Sequence, residues 1–244
     1  MEKYLYLYLA GLVCLATFVI WILRPDLRRT IAYAGLAGGI IEVVSEYWYL
    51  QDYWAPPSIL GFPAPEDFLY GFGVTALAAC AVPFWYRRTY TGSRPRPLRI
   101  AGAVLAVATW VMMMATLTQD STFVSLWVAA TGFAYVGLIA CIVRPDLLWV
   151  GLAAGLMMGL LSLAGFWLGL NHLIDGNAFL NHVLLHPGSS GDIRILGQVP
   201  LDEIVWNVAR GFCIAVMYPA LAGKQLSSIA TEYYFSTRHL TRKV

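Results

Sequence analysis

The run Ile22-Leu23-Arg24-Pro25-Asp26-Leu27 returns about 120 residues later as Ile142-Val143-Arg144-Pro145-Asp146-Leu147. Each copy falls between two apolar runs. The same displacement lays Gly35 on Gly155 and Gly39 on Gly159, a small-xxx-small face that lets helix backbones approach closely in lipid. Two independent features in one register argue for a duplicated unit. Function is therefore sought at the seam between the copies.

Hydrophobic residues form 59% of the 244 and charged residues only 12%, which excludes an ordinary soluble domain. Apolar runs of roughly 20 residues, enough to cross a hydrocarbon core, lie at about 4–23, 31–50, 66–86, 100–118, 123–143, 148–172 and 202–222. The expectation is an all-α membrane protein of seven transmembrane helices in the cell membrane, its first span an uncleaved helix.

The basic residues sort to one side. Arg24, Arg28, Arg29, Arg87, Arg88, Arg94, Arg96, Arg99, Arg144, Lys224, Arg238, Arg242 and Lys243 follow odd-numbered spans, and only Lys3 and Arg194 lie opposite. Short basic loops stay in the cytoplasm, so the N-terminus is expected outside and the C-terminus inside. Spans 1–3 then match spans 5–7 as parallel repeats joined by span 4. Residues 1–244 read as a single membrane domain: 1–90 the first repeat, 91–122 the linker with span 4, 123–223 the second repeat, 224–244 a cytoplasmic tail. The outer stretch of about 173–199 reads as an insertion loop peculiar to the second copy.

Each copy carries adjacent acids at the start of its third span: Glu66 and Asp67 in one, Asp202 and Glu203 in the other. Helix capping accounts for such acids equally well, since the positive end of the dipole favours carboxylate. Ionisable groups inside spans cost about 2.5–3.5 kcal/mol each near the centre on insertion scales, and they usually mark function. Glu42 and Glu46 lie one turn apart on span 2. Glu203, Asn207 and Arg210 form one stripe on span 7. Counted from the outer boundary at about 1.5 Å per residue, Glu42 and Arg210 reach similar depth and read as partners, either at a functional site or as a structural buried ion pair.

The outer-half aromatics Tyr47, Trp48, Tyr49, Tyr53, Trp54, Tyr70, Phe72, Phe166, Trp167 and Trp206 read mostly as an interfacial belt. His172, His182 and His186 lack a completing carboxylate motif, Cys14, Cys80, Cys141 and Cys213 lack paired spacing, and there is no phosphate loop or dinucleotide fingerprint. No metal, no cofactor and no nucleic-acid partner are expected. Membrane lipid is, and self-association is left open.

Two three-helix units, each with an acidic doublet after a proline-containing turn, resemble the small membrane lycopene cyclase family, whose signature is Pro-x-Glu-Glu/Asp. Pro200-Leu201-Asp202-Glu203 matches its spacing with Asp as the first acid; Glu66-Asp67-Phe68-Leu69 fits, with Ala64 in the proline position. The resemblance covers about 22–86 and 142–222. It implies redox-neutral cyclisation of a linear, lycopene-like polyene by acid and base groups without a flavin, in a family where the repeats also occur as separate chains. The acid and base are then expected among Glu66, Asp67, Asp202 and Glu203, with Glu203 favoured, Glu42 and Glu46 as relay or cation stabiliser, and Arg210 and Asn207 in support. The other readings are a non-catalytic seven-helix carotenoid or retinoid binder and an ion-coupled transporter. A retinal Schiff base has no mid-span lysine to form on.

Overall fold

The computed structural model describes residues 5–56, 65–92, 97–118, 124–188 and 192–228. Ala64, Lys3, Arg94, Arg96, Arg238, Arg242 and Lys243 lie outside them. Among the described residues eight α-helices follow in order: α1 (Leu5–Leu23), α2 (Arg28–Asp52), α3 (Pro65–Trp85), α4 (Pro97–Leu117), α5 (Ser125–Val143), α6 (Leu148–Leu168), α7 (Gly176–Val183) and α8 (Leu201–Leu221). Four short strands accompany them: β1 (Arg88–Thr91), β2 (Arg194–Ile195), β3 (Val199–Pro200) and β4 (Gln225–Ser228).

Lipid offers no partner to backbone N–H and C=O groups, so a greasy chain satisfies them within helices. The helices α1, α3, α4, α5, α6 and α8 are long and apolar enough to cross a membrane, which makes this a multi-pass helical membrane protein. Helix α2 is 25 residues long but diluted by Arg28, Arg29, Glu42, Glu46 and Asp52. Leu12, Leu15 and Phe18 of α1 and Val104, Leu105 and Met112 of α4 are exposed, as suits surfaces that meet acyl chains.

Helix α3 packs against α1 and α2, α8 packs against α5 and α6, and α3 and α8 meet at the centre. Helix α4 leans chiefly on α5. Close approach of α2 and α3 depends on two glycines. A Cβ on Gly38 would strike Thr75 and the Gly71 carbonyl, and one on Gly71 would strike the Glu42 side chain.

The two Arg-Pro-Asp-Leu copies fold alike. Arg24 (φ −132°, ψ 77°) and Arg144 (φ −135°, ψ 74°) are held out of helix by the following proline, which opens a 3-10 turn. Arg24 donates through Nε and Nη2 to Asp26 at 2.8 and 2.7 Å, and Arg144 to Asp146 at 2.7 and 2.6 Å. The same guanidinium groups reach backbone carbonyls, Arg24 that of Arg88 and Arg144 that of Lys224, so each turn grips the end of its own repeat's third helix. Just beyond those helices lie β1 and β4, which pair antiparallel with Arg88 opposite Ser228 and Thr91 opposite Gln225. The chain thus has a turn end and an acid end.

Two stretches differ from expectation. Residues 225–228, read as the start of a tail, form β4; a polar four-residue strand has no local signal, because its partner is far away in sequence. The last residues of the span read at 148–172 form a π turn (169–173), and the insertion read as loop after it holds α7 and the β2–β3 hairpin. Asp175 accepts a hydrogen bond from Ala178 N at 3.0 Å and starts α7, whose Phe179, Leu180 and Val183 pack on Leu170. Ala55 N donates to Val183 O at 2.7 Å and Leu185 N to Tyr53 O at 2.9 Å, fastening α7 across the acid end. Arg194 binds Asp192 at 2.7 Å and donates to Asn177 Oδ1 at 3.0 Å, joining the hairpin to α7.

Candidate functional site

Helix α2 places Glu42, Glu46, Tyr49 and Tyr53 on one buried stripe, three or four residues apart. Helix α8 presents Glu203, Trp206, Asn207 and Arg210 by the same spacing. The stripes meet. Arg210 Nη1 lies 2.9 Å from Glu42 Oε2, and both side chains are nearly inaccessible, at 2% and 5% exposure. Arg210 Nη2 donates to Thr75 Oγ1 at 2.9 Å and to Gly71 O at 3.4 Å, while its guanidinium sits over the Trp206 ring at 4.6 Å. A buried cation is thus matched by a carboxylate, two oxygens and a ring face.

Beside Glu42 is a cavity of about 50 Å³ at the acid end. Glu42, Glu46 and Glu203 line it with Tyr6, Tyr49, Tyr53, Tyr70, Trp54, Trp206 and Phe166, and Phe179 of α7 covers it. The Tyr53 hydroxyl donates to Glu203 Oε1 at 3.0 Å, and Trp206 Nε1 donates to the Tyr49 hydroxyl at 3.2 Å. Tyr6 Oη and Glu46 Oε1 are buried without a hydrogen-bond partner. Among the described residues Glu46 and Glu203 form no ion pair.

The cavity lies on the seam. Counting 120 residues from Tyr6 and Glu46 gives Leu126 and Phe166, and 136 from Tyr70 gives Trp206; both members of each pair line it. The chemistry is not shared equally. Positions equivalent to Glu42 and Glu46 hold Ser162 and Phe166 in the second copy. There Asn207 Nδ2 donates to Ser162 Oγ at 3.1 Å, a neutral contact between α6 and α8.

Of the four acids at the third-helix starts, Glu203 alone lines the cavity. Glu66 and Asp67 are buried, at 2% and 5% exposure, and do not line it. Asp202 lies in the first turn of α8 outside the cavity lining and accepts from the Glu203 backbone N–H at 2.9 Å. Tyr49, Tyr53 and Trp206, expected in the interfacial belt, are buried instead, whereas Tyr47 and Trp167 are exposed as a belt requires. Their spacing from Glu42, Glu46 and Glu203 was the available signal. Tyr6 and Asp52 were not foreseen; Asp52 accepts from Ser125 N at 2.8 Å and holds the start of α5 to the end of α2.

A second, larger cavity of about 720 Å³ lies between α2, α4, α5 and α8 toward the turn end. It is walled by apolar groups such as Ala37, Ile41, Val107, Trp110, Phe133 and Val136, with Arg29 and Lys224 lining it at the turn end. Gly38 and Thr75 line it and Glu42, one turn beyond Gly38, lines the acid cavity, so the two adjoin across the Arg210 layer. Among the described residues no group of three or more His, Cys, Asp or Glu is placed to hold a metal ion. His182 lies in the last turn of α7, and His172 packs on Trp167 with ring centres 4.5 Å apart. Comparison with protein-family models, with curated proteins and with solved structures yields no match to this chain.

Proposed function

We propose that this chain is a two-repeat membrane enzyme that closes a ring at the end of a linear, lycopene-like polyene by acid–base chemistry. The observation that carries the reading is the seam cavity, where three glutamates from α2 and α8 meet among tyrosine and tryptophan rings beside a large apolar space. Arg210 pairs with Glu42. Glu203 and Glu46 remain as a proton donor and acceptor in a place where bulk water is scarce.

One carboxylic acid adds a proton to the terminal alkene and leaves a tertiary cation. The internal alkene closes on that cation, forming the ring carbon–carbon bond, and a carboxylate removes a ring proton to restore a double bond. Atoms and electrons balance without oxidant or reductant. Glu203 takes the acid role and Glu46 the base, with Glu66, Asp67 and Asp202 as the surrounding acids. The faces of Trp206, Tyr49 and Tyr70 stabilise the cation by about 0.5–2 kcal/mol each.

In this reading α2 is a seventh span, and α1–α3 and α5, α6, α8 are parallel repeats joined by α4. The turn end faces the cytoplasm and the acid end the outside of the cell membrane. The matched turns and the β1–β4 pairing support the repeat, and the basic residues support the orientation.

The test is expression in a host that accumulates lycopene, followed by pigment extraction. Ring-bearing pigment is the expected result. Bound but unchanged pigment would favour a non-catalytic carotenoid binder, a reading supported by the Trp206 and Arg210 layer between the large cavity and the carboxyl groups. No effect on pigment would favour ion-coupled transport.

A further inference from the structure

The large cavity changes character along its length. At the turn end it is lined by Arg29 of α2 and by Lys224 just beyond α8, the only charged groups in its wall among the described residues, with no carboxyl group among them. Deeper in the bundle the wall is Ile41, Val107, Trp110 and Phe133, the last two stacked with ring centres 5.4 Å apart. Thr30 Oγ1 donates to the Tyr218 hydroxyl at 3.0 Å, which ties the start of α2 to the end of α8 and keeps both cations at the turn end. Neither cation is committed elsewhere. At the same end Arg24 and Arg144 are bound by Asp26 and Asp146, whereas Arg29 and Lys224 form no salt bridge among the described residues. Tyr33 on α2 and Ile100 and Val107 on α4 line the cavity and are exposed, so its side between these two helices is open to the surroundings of the bundle.

We propose that this groove seats one anionic phospholipid of the leaflet at the turn end, its phosphate between Arg29 and Lys224 and an acyl chain along Ile41, Val107 and Trp110. Charge selects the headgroup. Two uncommitted cations call for a net negative partner, which a hydrocarbon cannot supply and a zwitterionic lipid supplies only with an ammonium of its own; basic pockets between membrane helices take anionic headgroups for this reason. Length selects the chain. Along α2 the lining runs from Arg29 to Ile41, which at about 1.5 Å of rise per residue is about 18 Å. That is close to half of a hydrocarbon core about 30 Å thick, the depth an acyl chain reaches from a phosphate at the surface. The open side between α2 and α4 lets the lipid enter from its own leaflet without leaving the membrane. The inference uses no carboxyl group of the acid cavity and stands apart from the ring-closure reading.

The test uses the full chain in phosphatidylcholine nanodiscs carrying increasing amounts of phosphatidylglycerol with brominated acyl chains, which quench nearby tryptophan. Trp110 lies in the wall, and its emission is read as the native signal minus that of Trp110→Phe. Brominated phosphatidylglycerol should quench it at lower mole fraction than brominated phosphatidylcholine does. Arg29→Gln and Lys224→Gln should each raise the phosphatidylglycerol needed for half-quenching about fivefold, and together about 25-fold. Arg28→Gln, a neighbouring cation outside the lining, should change it little. Equal quenching by the two lipids, an unshifted double variant, or an Arg28→Gln shift as large as that of Arg29→Gln overturns the seat. Inorganic phosphate should leave the quenching in place; its relief would make the cations a site for free phosphate and overturn the lipid assignment. A second reading needs no tryptophan: native mass spectrometry of the detergent-released chain should find one phosphatidylglycerol retained by the native protein and none by the double variant, and equal retention by both overturns the proposal. Retained lipid without ring formation would leave this seat standing and remove the acid–base function, and rings formed by a chain that retains no lipid would do the reverse.

Discussion

Arg210 reaches across from α8 to place Nη1 2.9 Å from Glu42 Oε2 on α2, the one salt bridge among the described residues that joins the two repeats. Its worth lies in what its loss would leave behind. Arg210→Gln strands a carboxylate in the interior and should cost about 3–5 kcal/mol of stability. The double change Glu42→Leu with Arg210→Met, which removes both charges, should recover most of that loss. Thermal unfolding in detergent checks both, and a single variant as stable as the native chain would contradict the pairing.

Glu203→Gln removes a proton-transfer group at nearly constant shape. Ring formation should fall by roughly 100- to 10,000-fold, the usual contribution of a positioned acid or base. Membrane insertion and melting temperature should be unchanged. Tyr53→Phe, which deletes the hydroxyl donated to Glu203, should lower the rate by a smaller factor and leave pigment binding intact.

Helix contact at the seam tolerates no added methyl at Gly71, where a Cβ would meet Glu42 and lie 2.7 Å from the Gly38 carbonyl. Gly71→Ala should destabilise by about 1–3 kcal/mol, as overpacking generally does. Gly102→Ala on α4, with nothing within 4 Å, should be neutral or gain about 0.5–1 kcal/mol from reduced chain entropy. Equal melting temperatures for the two variants would refute the contrast.

The cap over the acid end should loosen in acid. Hydrogen bonds from Arg194 hold the Asp192 carboxyl below the ordinary aspartate range. A group whose folded value is depressed stabilises above its unfolded value, and that stabilisation disappears as pH falls through the folded one. Hydrogen exchange over 176–200 should therefore quicken only below the ordinary aspartate range. Asp192→Asn should quicken exchange at neutral pH and abolish the acid step.

The Glu42–Arg210 partnership was legible because depth in a membrane helix is a count of residues. The paired turns were legible because a repeated Arg-Pro-Asp-Leu dictates one backbone geometry. Which carboxyl groups face the cavity was not. Adjacent residues on a helix point about 100° apart, so which of Asp202 and Glu203 lines the cavity is decided only once α8 has a fixed rotation. Tyr6 was hidden in an apolar run with no polar neighbour, and α7, with its alternation confined to eight residues, had too short a pattern to stand out from a polar insertion.

Strand β4 is the last described segment to leave the ribosome, and its partner β1 is made before the second repeat exists. The halves can therefore be latched at the turn end only after α8 has been inserted. A chain truncated after residue 224 would carry every described helix yet lack this clasp, and its repeats should part more readily under detergent than those of the full chain. Supplying the missing segment in trans should not restore them, since a four-residue strand has too little binding energy to dock alone.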